Sequence, residues 1–219
     1  MKKSDHNKVK MKIIIIQSLT IPDVRIIRFG RFSDPRGYFT EPYRKSDFEN
    51  NFDMSFMKGI TFVQQNESFS KKYVLRGLHF QWNPFMGKMV RTIHGHMIDI
   101  FCDIRKGSPT YGKVVMHDMP MSSDKEFSEW IWVPPGFAHG NLFLQETTIE
   151  YMCSGEYSQN CEAGISPLSP DLDWSICDNQ LYSHLFSLSN KLIISDKDRL
   201  GLSLDSWTLD PRSDNFLYE

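Results

Sequence analysis

From residue 60 onward the chain consists of short runs of apolar, branched and aromatic residues that recur about every 8–14 residues. Glycines and prolines mark most of the junctions, for example Gly95 and Pro134-Pro135-Gly136. Runs of this length and spacing predict an all-β sandwich or barrel, and a jelly roll is the natural member of that class. The predicted strands are 60–66, 73–81, 88–94, 96–104, 113–119, 130–133, 138–145 and 147–153.

The segments on either side of this series contribute a few further elements. Residues 13–17 and 24–29 are branched runs that predict two strands separated by a turn at Pro22-Asp23. A capping box at Ser46-Asp47-Phe48-Glu49 predicts a short helix, and a second short helix is predicted near 180–189. We expect one domain over 11–219, including a C-terminal extension, and a loose tail over residues 1–10.

Composition restricts the class of protein. The 219 residues carry a net charge of −2 and 40% hydrophobic residues, which suits one domain and argues against a general binder of nucleic acid or membrane surfaces. The isoleucines at 13–16 fall short of a signal peptide's apolar run of about 7–15 residues, and no run approaches the ~20 residues of a membrane span. Four cysteines without CxxC spacing predict reduced thiols in a cytoplasmic protein.

The predicted strand 73–81 carries an arginine and a histidine inside an apolar context. Strand side chains alternate between faces. This rule predicts one face with Leu75, Gly77, His79 and Gln81, and an opposite face with Arg76, Leu78 and Phe80. A histidine between leucine and phenylalanine is, by itself, more often a hydrogen-bonded core residue than a functional one.

Further ionisable residues lie within the predicted strands, where an unpaired charge is costly. They are Lys88, Asp99, Asp103, His139 and Tyr151. Each one alone is best explained by a satisfied buried hydrogen bond or a position at the rim. Convergence of several in one barrel mouth would instead indicate a site, and the order of residues along the chain leaves that open.

Seven motifs, in register from about residue 20 to residue 200, strongly resemble the dTDP-4-dehydrorhamnose 3,5-epimerase family. They are DPRGYFTE (34–41), FVQQNES (62–68), LRGLHFQ (75–81), GKMVR (87–91), DIRKGSPTYG (103–112), VPPGFAHG (133–140) and SDKD (195–198). The resemblance implies a cupin-type jelly roll that works as a homodimer without metal or organic cofactor. It implies epimerisation at C3 and C5 of a nucleotide-linked 4-keto-6-deoxyhexose, foremost dTDP-4-keto-6-deoxyglucose.

The resemblance also implies roles for four catalytic residues. His79 corresponds to the base, and Asp198 to the partner that orients it, with Asp196 as a nearby alternative. Lys88 places an ammonium near the developing enolate oxygen, and Tyr151 is the acid on the opposite face of the sugar.

A second set of residues is implied to bind substrate. Arg76 suits the diphosphate, since a fork of donors matches phosphate oxygens. Gln64 and Asn66 are expected to contact the nucleotide, Tyr157 to stack near the base or sugar, and His139 to line the pocket. In the family, the segment matching Arg36, Phe39 and Glu41 crosses to the partner subunit and completes its nucleotide site.

The chain departs from the family pattern at a few places, which keeps other readings open. Asn141 stands where an apolar aromatic residue is usual, Gln65 where aspartate is common, and the segment 174–195 is longer than is typical. An epimerase acting at one carbon, or on another 4-keto sugar nucleotide, is a close alternative. A non-catalytic sugar-nucleotide binder is another, and a metal-dependent cupin enzyme would use the HxH pair His94 and His96.

Overall fold

The computed structural model describes residues 13–218 and contains two large antiparallel sheets. One sheet has six strands, in the spatial order Ile13–Ser18 (β1), Arg25–Gly30 (β2), Phe127–Val133 (β10), Lys88–His94 (β7), Thr147–Cys153 (β12) and Gln64–Ser70 (β5). The other has five, in the order Glu162–Gly164 (β13), Leu75–Gln81 (β6), Phe137–Phe143 (β11), His96–Asp103 (β8) and Val114–Pro120 (β9). The predicted all-β jelly-roll sandwich is confirmed.

Short elements complete the fold. Phe32–Asp34 (β3) and Gly37–Phe39 (β4) form an exposed hairpin. The α-helices are Lys45–Asn50 (α1), Asn179–Ser187 (α2), Asp196–Arg199 (α3) and Leu204–Leu209 (α4). Single 3₁₀ turns occupy Phe52–Met57, Gln159–Cys161 and Pro211–Asn215. Within 13–218 no helix is long and apolar enough to cross a membrane.

Three apolar layers hold the sheets in place. The layer between the sheets combines side chains such as Val90 and Ile131 of the six-stranded sheet with Phe101 and Phe143 of the five-stranded sheet. The outer face of the six-stranded sheet is covered by the segment 43–62, and that of the five-stranded sheet by the C-terminal segment. Both sheets are therefore packed with apolar residues on their inner and their outer faces.

Most predicted strands agree with the observed ones to within about two residues, and two do not. The predicted strand 60–66 is observed as Gln64–Ser70, and the predicted strand 130–133 begins at Phe127. The predicted helix near 180–189 is α2, whose first turn is capped by the Asp178 carboxylate. The expected tail 1–10 lies outside the described residues, and the single domain over 11–219 stays a prediction.

The capping box at Ser46 was wrong in its position. Helix α1 starts before Ser46, because Arg44 is the N-terminal cap and its carbonyl oxygen accepts the N–H groups of Asp47 and Phe48 at 3.0 and 3.2 Å. The Arg44 side chain is instead paired with the Glu41 carboxylate. Helix α1 therefore begins without a side-chain cap.

The predicted alternation along β6 was also wrong. Leu75, Leu78 and Phe80 all pack into the layer beneath the C-terminal segment, whereas Arg76 and His79 line a cavity on the other face. The cause is an extra residue at Gly77: β11 pairs His139 with His79 and Asn141 with Arg76, so the single residue Gly140 of β11 is opposite two residues of β6, Gly77 and Leu78. Such a bulge resets the alternation of side chains.

Candidate active site

Two adjoining cavities are lined by residues of both sheets. The first has a volume of about 170 Å³ and the second about 420 Å³. His79, Lys88 and Tyr151 line both cavities, so they stand at the junction. The first cavity is further lined by Ser68, Arg76, Gly77, His139, Gly140, Asn141, Ile149 and Asp198. The structure thus brings together residues that are up to 130 positions apart, from Ser68 to Asp198.

A histidine–carboxylate pair lies in the wall of the first cavity. Nε2 of His79 is 2.6 Å from Oδ1 of Asp198, and the backbone N–H of Gly77 donates to Oδ2 of the same carboxylate at 3.3 Å. The His79 side chain is 33% exposed, whereas Asp198 is 6% exposed. An imidazole held by a buried carboxylate and open to a cavity is suited to exchanging protons with a bound molecule.

Asp198 is positioned by the short helix α3. The hydroxyl of Ser195 accepts the backbone N–H of Asp198 at 3.2 Å, which fixes the first turn. Burial by itself would raise the pKa of Asp198, but the hydrogen bond and charge of His79 outweigh it and lower the pKa. The alternative partner, Asp196, is exposed at the start of the same helix. The longer segment ahead of Ser195 therefore leaves Asp198, not Asp196, against His79.

Lys88 and Tyr151 face the same cavities from the opposite sheet. They lie on the paired strands β7 and β12, where Tyr151 is opposite Val90 and Lys88 is opposite Cys153. Burial raises the pKa of the Tyr151 phenol, so it carries its proton at neutral pH. Burial lowers the pKa of Lys88, and the neighbouring Cys153, Asp99 and Glu162 act in the opposite direction.

A second histidine–carboxylate pair lies deeper between the sheets. Nε2 of His139 is 2.7 Å from Oδ1 of Asp99, and the two side chains are 7% and 0% exposed. The His139 ring stacks on Phe101 with 5.6 Å between the ring centres. The amide nitrogen of Asn141 donates to the same carboxylate oxygen. The predicted pocket residue His139 thus lines the first cavity as part of a buried polar cluster.

The second cavity contains three of the predicted nucleotide contacts. Gln64, Asn66 and Tyr157 all line it. The side-chain amide of Gln64 donates to Asn66 at 3.0 Å, and its carbonyl oxygen accepts the backbone N–H of Tyr157 at 2.8 Å. Arg76 lines the first cavity instead, where its Nε donates to the Ser70 hydroxyl at 2.9 Å.

Sequence reasoning missed Glu67 and Glu162, which line the second cavity, and Lys197, which pairs with Glu162. The carboxylate of Glu162 accepts hydrogen bonds from the hydroxyl of Tyr157 at 2.9 Å and from the ammonium of Lys197 at 2.7 Å. Glu162 lies on β13, directly beside β6, and lines the second cavity. The signal for Lys197 was its place next to Asp198 in SDKD. Glu162 has no comparable signal, because it lies in a polar stretch without strand periodicity.

Three predicted substrate contacts lie elsewhere. Arg36 and Phe39 are exposed on the β3–β4 hairpin, where Arg36 pairs with Asp34, and Glu41 pairs with Arg44. None of Arg36, Phe39 and Glu41 is among the described residues that line the two cavities. Their expected contact with a partner subunit stays a prediction.

The HxH pair is split between two strands. His94 ends β7 and is exposed, whereas His96 begins β8 and pairs with the Asp118 carboxylate. Gly95, with φ at +92°, makes the turn between them. Among the described residues there is no group of three or more histidine, cysteine, aspartate or glutamate side chains placed to hold a metal ion.

Comparison with known proteins identifies the family. The sequence profile of the dTDP-4-dehydrorhamnose 3,5-epimerase family matches residues 18–206. The chain belongs to this family. A dTDP-4-dehydrorhamnose 3,5-epimerase of Sinorhizobium fredii is 41% identical over 152 residues, which cover 68% of this chain and 73% of the relative. The chain is accordingly an isomerase.

Solved structures of the epimerase family share the fold. The 3,5-epimerase of Legionella pneumophila, in complex with dTDP-4-keto-L-rhamnose, superposes with a TM-score of 0.76 at 30% identity, covering 94% of this chain and 98% of that one. A 3′-monoepimerase from Streptomyces bikiniensis, in complex with dTDP-quinovose, gives a TM-score of 0.69 at 25% identity, covering 88% and 89%. Family members thus include an enzyme for both carbons and an enzyme for one.

Proposed function

We propose that this protein epimerises C3 and C5 of dTDP-4-keto-6-deoxyglucose and so forms dTDP-4-keto-rhamnose. The observation that carries the proposal is the His79–Asp198 pair, 2.6 Å apart, in a cavity that also contains Lys88 and Tyr151. The ketone at C4 acidifies the hydrogens on both neighbouring carbons. An enzyme for this substrate therefore needs a base, a group that stabilises the enolate oxygen, and an acid on the opposite face of the ring.

His79 is the base in this proposal. Its Nε2–H donates to Asp198, which leaves Nδ1 as the basic nitrogen. When Nδ1 takes the hydrogen of C3 or C5 as a proton, the electron pair of the broken C–H bond moves into the ring and onto the C4 oxygen. The carboxylate of Asp198 stabilises the imidazolium that forms. General base catalysis of this kind contributes about 10²–10⁴-fold.

Lys88 and Tyr151 complete the reaction in this proposal. The Lys88 ammonium stabilises the negative charge on the C4 oxygen, where preorganised charge is worth several kcal/mol. Tyr151 gives its proton to the carbon from the opposite face, which inverts the centre. The phenolate then recovers a proton from solvent, and the His79 imidazolium releases the abstracted proton to solvent. Burial supports this role, because it raises the pKa of Tyr151 and keeps the acid protonated until it reacts.

The second cavity takes the nucleotide in this proposal. Gln64, Asn66 and Tyr157 offer an amide pair and an aromatic ring for the base and its sugar, and Arg76 offers a guanidinium for the diphosphate. His139 lines the first cavity, where it is held by Asp99. We further propose a cytoplasmic homodimer in which the segment carrying Arg36, Phe39 and Glu41 completes the nucleotide site of the partner. The 61% exposure of Phe39 supports this.

Incubation with dTDP-4-keto-6-deoxyglucose in deuterated water, followed by NMR, tests the proposal. Deuterium at both C3 and C5, with formation of the rhamno product, is expected. Deuterium at C3 alone or C5 alone would instead assign a single-carbon epimerase, the alternative favoured by likeness to the 3′-monoepimerase. Tight binding of the nucleotide sugar without exchange at either carbon would contradict both and indicate a binding protein.

A further inference from the structure

Three polar side chains interrupt the otherwise apolar layer between the sheets. Asp99 lies on β8 between Met97 and Phe101, and His139 and Asn141 lie on the neighbouring strand β11. All three are buried, with exposures of 0%, 7% and 6%. His139 and Asn141 also line the first cavity. A buried polar cluster that reaches a cavity wall is costly unless its members are hydrogen-bonded.

The hydrogen bonds of this cluster are unevenly distributed. Both His139 and Asn141 donate to Oδ1 of Asp99, whereas Oδ2 is buried without a hydrogen-bond partner among residues 13–218. The carboxylate thus holds both neighbours through a single oxygen. Its charge fixes which atoms of those neighbours turn toward it, because only N–H groups can approach.

This arrangement fixes the orientation of the Asn141 amide. Its NH₂ group points to Asp99 and also lies 3.7 Å from the sulfur of Met97. Rotating the amide by half a turn would set its carbonyl oxygen against the carboxylate, placing two acceptors together. The carbonyl oxygen therefore points away from Asp99, and no described residue donates a hydrogen bond to it. Since Asn141 lines the first cavity, this oxygen is the part of the amide offered to a bound molecule.

We propose that Asn141 is a specificity-determining residue that accepts a hydrogen bond from a ring hydroxyl of the hexose. The inference rests on the proposed function, since it takes the first cavity to be the sugar site. Most polar groups there are donors or belong to the reaction: Arg76, Lys88, Tyr151 and the His79–Asp198 pair. A 4-keto-6-deoxyhexose brings hydroxyl groups at C2 and C3. A hydroxyl buried without an acceptor loses the hydrogen bond that it makes in water, which weakens binding.

The test compares three substrates that all have a hydrogen at C5. They are dTDP-4-keto-6-deoxyglucose and its 2-deoxy and 3-deoxy analogues. The rate of C5 deuterium exchange is measured at limiting substrate for the wild type, for Asn141→Leu and for Ile149→Val. We expect the wild type to favour the full substrate over one analogue by about tenfold, the value of one hydrogen bond. We expect Asn141→Leu to reduce that preference to about twofold.

The control variant and the results that would contradict the inference can be told apart. Ile149 lines the same cavity but offers no polar group, so Ile149→Val should keep the wild-type preference whatever its rate. An equal preference in wild type and Asn141→Leu would overturn the inference, as would a wild type that exchanges all three substrates equally. If Asn141→Leu does not fold, Asn141→Ala is measured instead. If the wild type does not exchange the hydrogen at C5 of the full substrate, the proposed function itself is contradicted.

Discussion

Two histidine–aspartate pairs lie side by side in this protein, and they differ in what surrounds them. His79 and His139 are directly opposite each other on the paired strands β6 and β11. The ring–carboxylate distances are nearly equal, at 2.6 and 2.7 Å. However, His79 is 33% exposed at a cavity junction, whereas His139 is 7% exposed and stacked on Phe101.

The difference between the two pairs lies in the source of the carboxylate. Asp198 comes from the short helix α3 within the C-terminal segment, whereas Asp99 belongs to β8, the strand next to β11. The His79 ring can therefore meet a substrate while its partner remains in place. His139 is held by Asp99 of the neighbouring strand, whose carboxylate also accepts the amide of Asn141. We expect changes in the first pair to alter the reaction and changes in the second to alter stability.

The largest expected effect is that of His79→Gln. Loss of the base should reduce C3 and C5 exchange by about 10²–10⁴-fold, measured by NMR in deuterated water. His94→Gln is the matched control, because His94 is exposed at the end of β7 and outside both cavities. A His79→Gln enzyme that keeps wild-type exchange would refute the role of this pair.

Asp198→Asn should have the next largest effect. The amide can keep the contact with Nε2 but cannot stabilise the imidazolium, so kcat should fall by about 10²-fold with little change in KM. Asp196→Asn, two residues earlier and exposed, should keep both constants. Steady-state kinetics on the two variants separates them, and an equal loss in both would point to helix α3 as a whole.

For the free energy of unfolding we expect the opposite order. Changes in the His139–Asp99 pair should lower it more than changes in the His79–Asp198 pair. Asp99→Leu leaves the buried donors of His139 and Asn141 without their acceptor, at a cost of about 1–3 kcal/mol in the free energy of unfolding. Asp198→Leu should cost less, because His79 can turn to the open cavity and the only other donor described above, the N–H of Gly77, makes a long bond of 3.3 Å. Urea unfolding of both variants measures the difference. A larger loss in Asp198→Leu would contradict the distinction.

The smallest expected effect is a dependence on pH. The pKa of Asp198 is lowered in the folded protein relative to its unfolded value of about 3.9. The paired carboxylate thus contributes stability above about pH 4, and this contribution is lost as the pH falls through the lower, folded pKa. The stability difference between wild type and Asp198→Asn should shrink below about pH 4. Urea unfolding at a series of pH values checks it, and a constant difference would argue against the pair.

The features that could be predicted from sequence are those that depend on residues close together along the chain. Strand spacing and turn residues report on neighbours along the chain, and they predicted the sandwich. The motif SDKD placed Asp198 ahead of Asp196 despite the longer segment before it. The faces of β6 could not be predicted, because the bulge at Gly77 depends on pairing with β11. Likewise, Glu162 reaches the site only through the pairing of β13 with β6.

Gly77 limits which substitutions the fold can accept at this point of β6. A Cβ atom there would lie 2.6 Å from the Cα of Gly140 and 2.7 Å from the carbonyl oxygen of His139, so two backbones meet with no room for a side chain. The bulge puts Arg76 on the same side as His79. The main chain therefore sets the spacing between Arg76 and His79, the residues that we propose bind the diphosphate and abstract the proton. Side chains that line the first cavity, such as Asn141, can be replaced without altering this spacing.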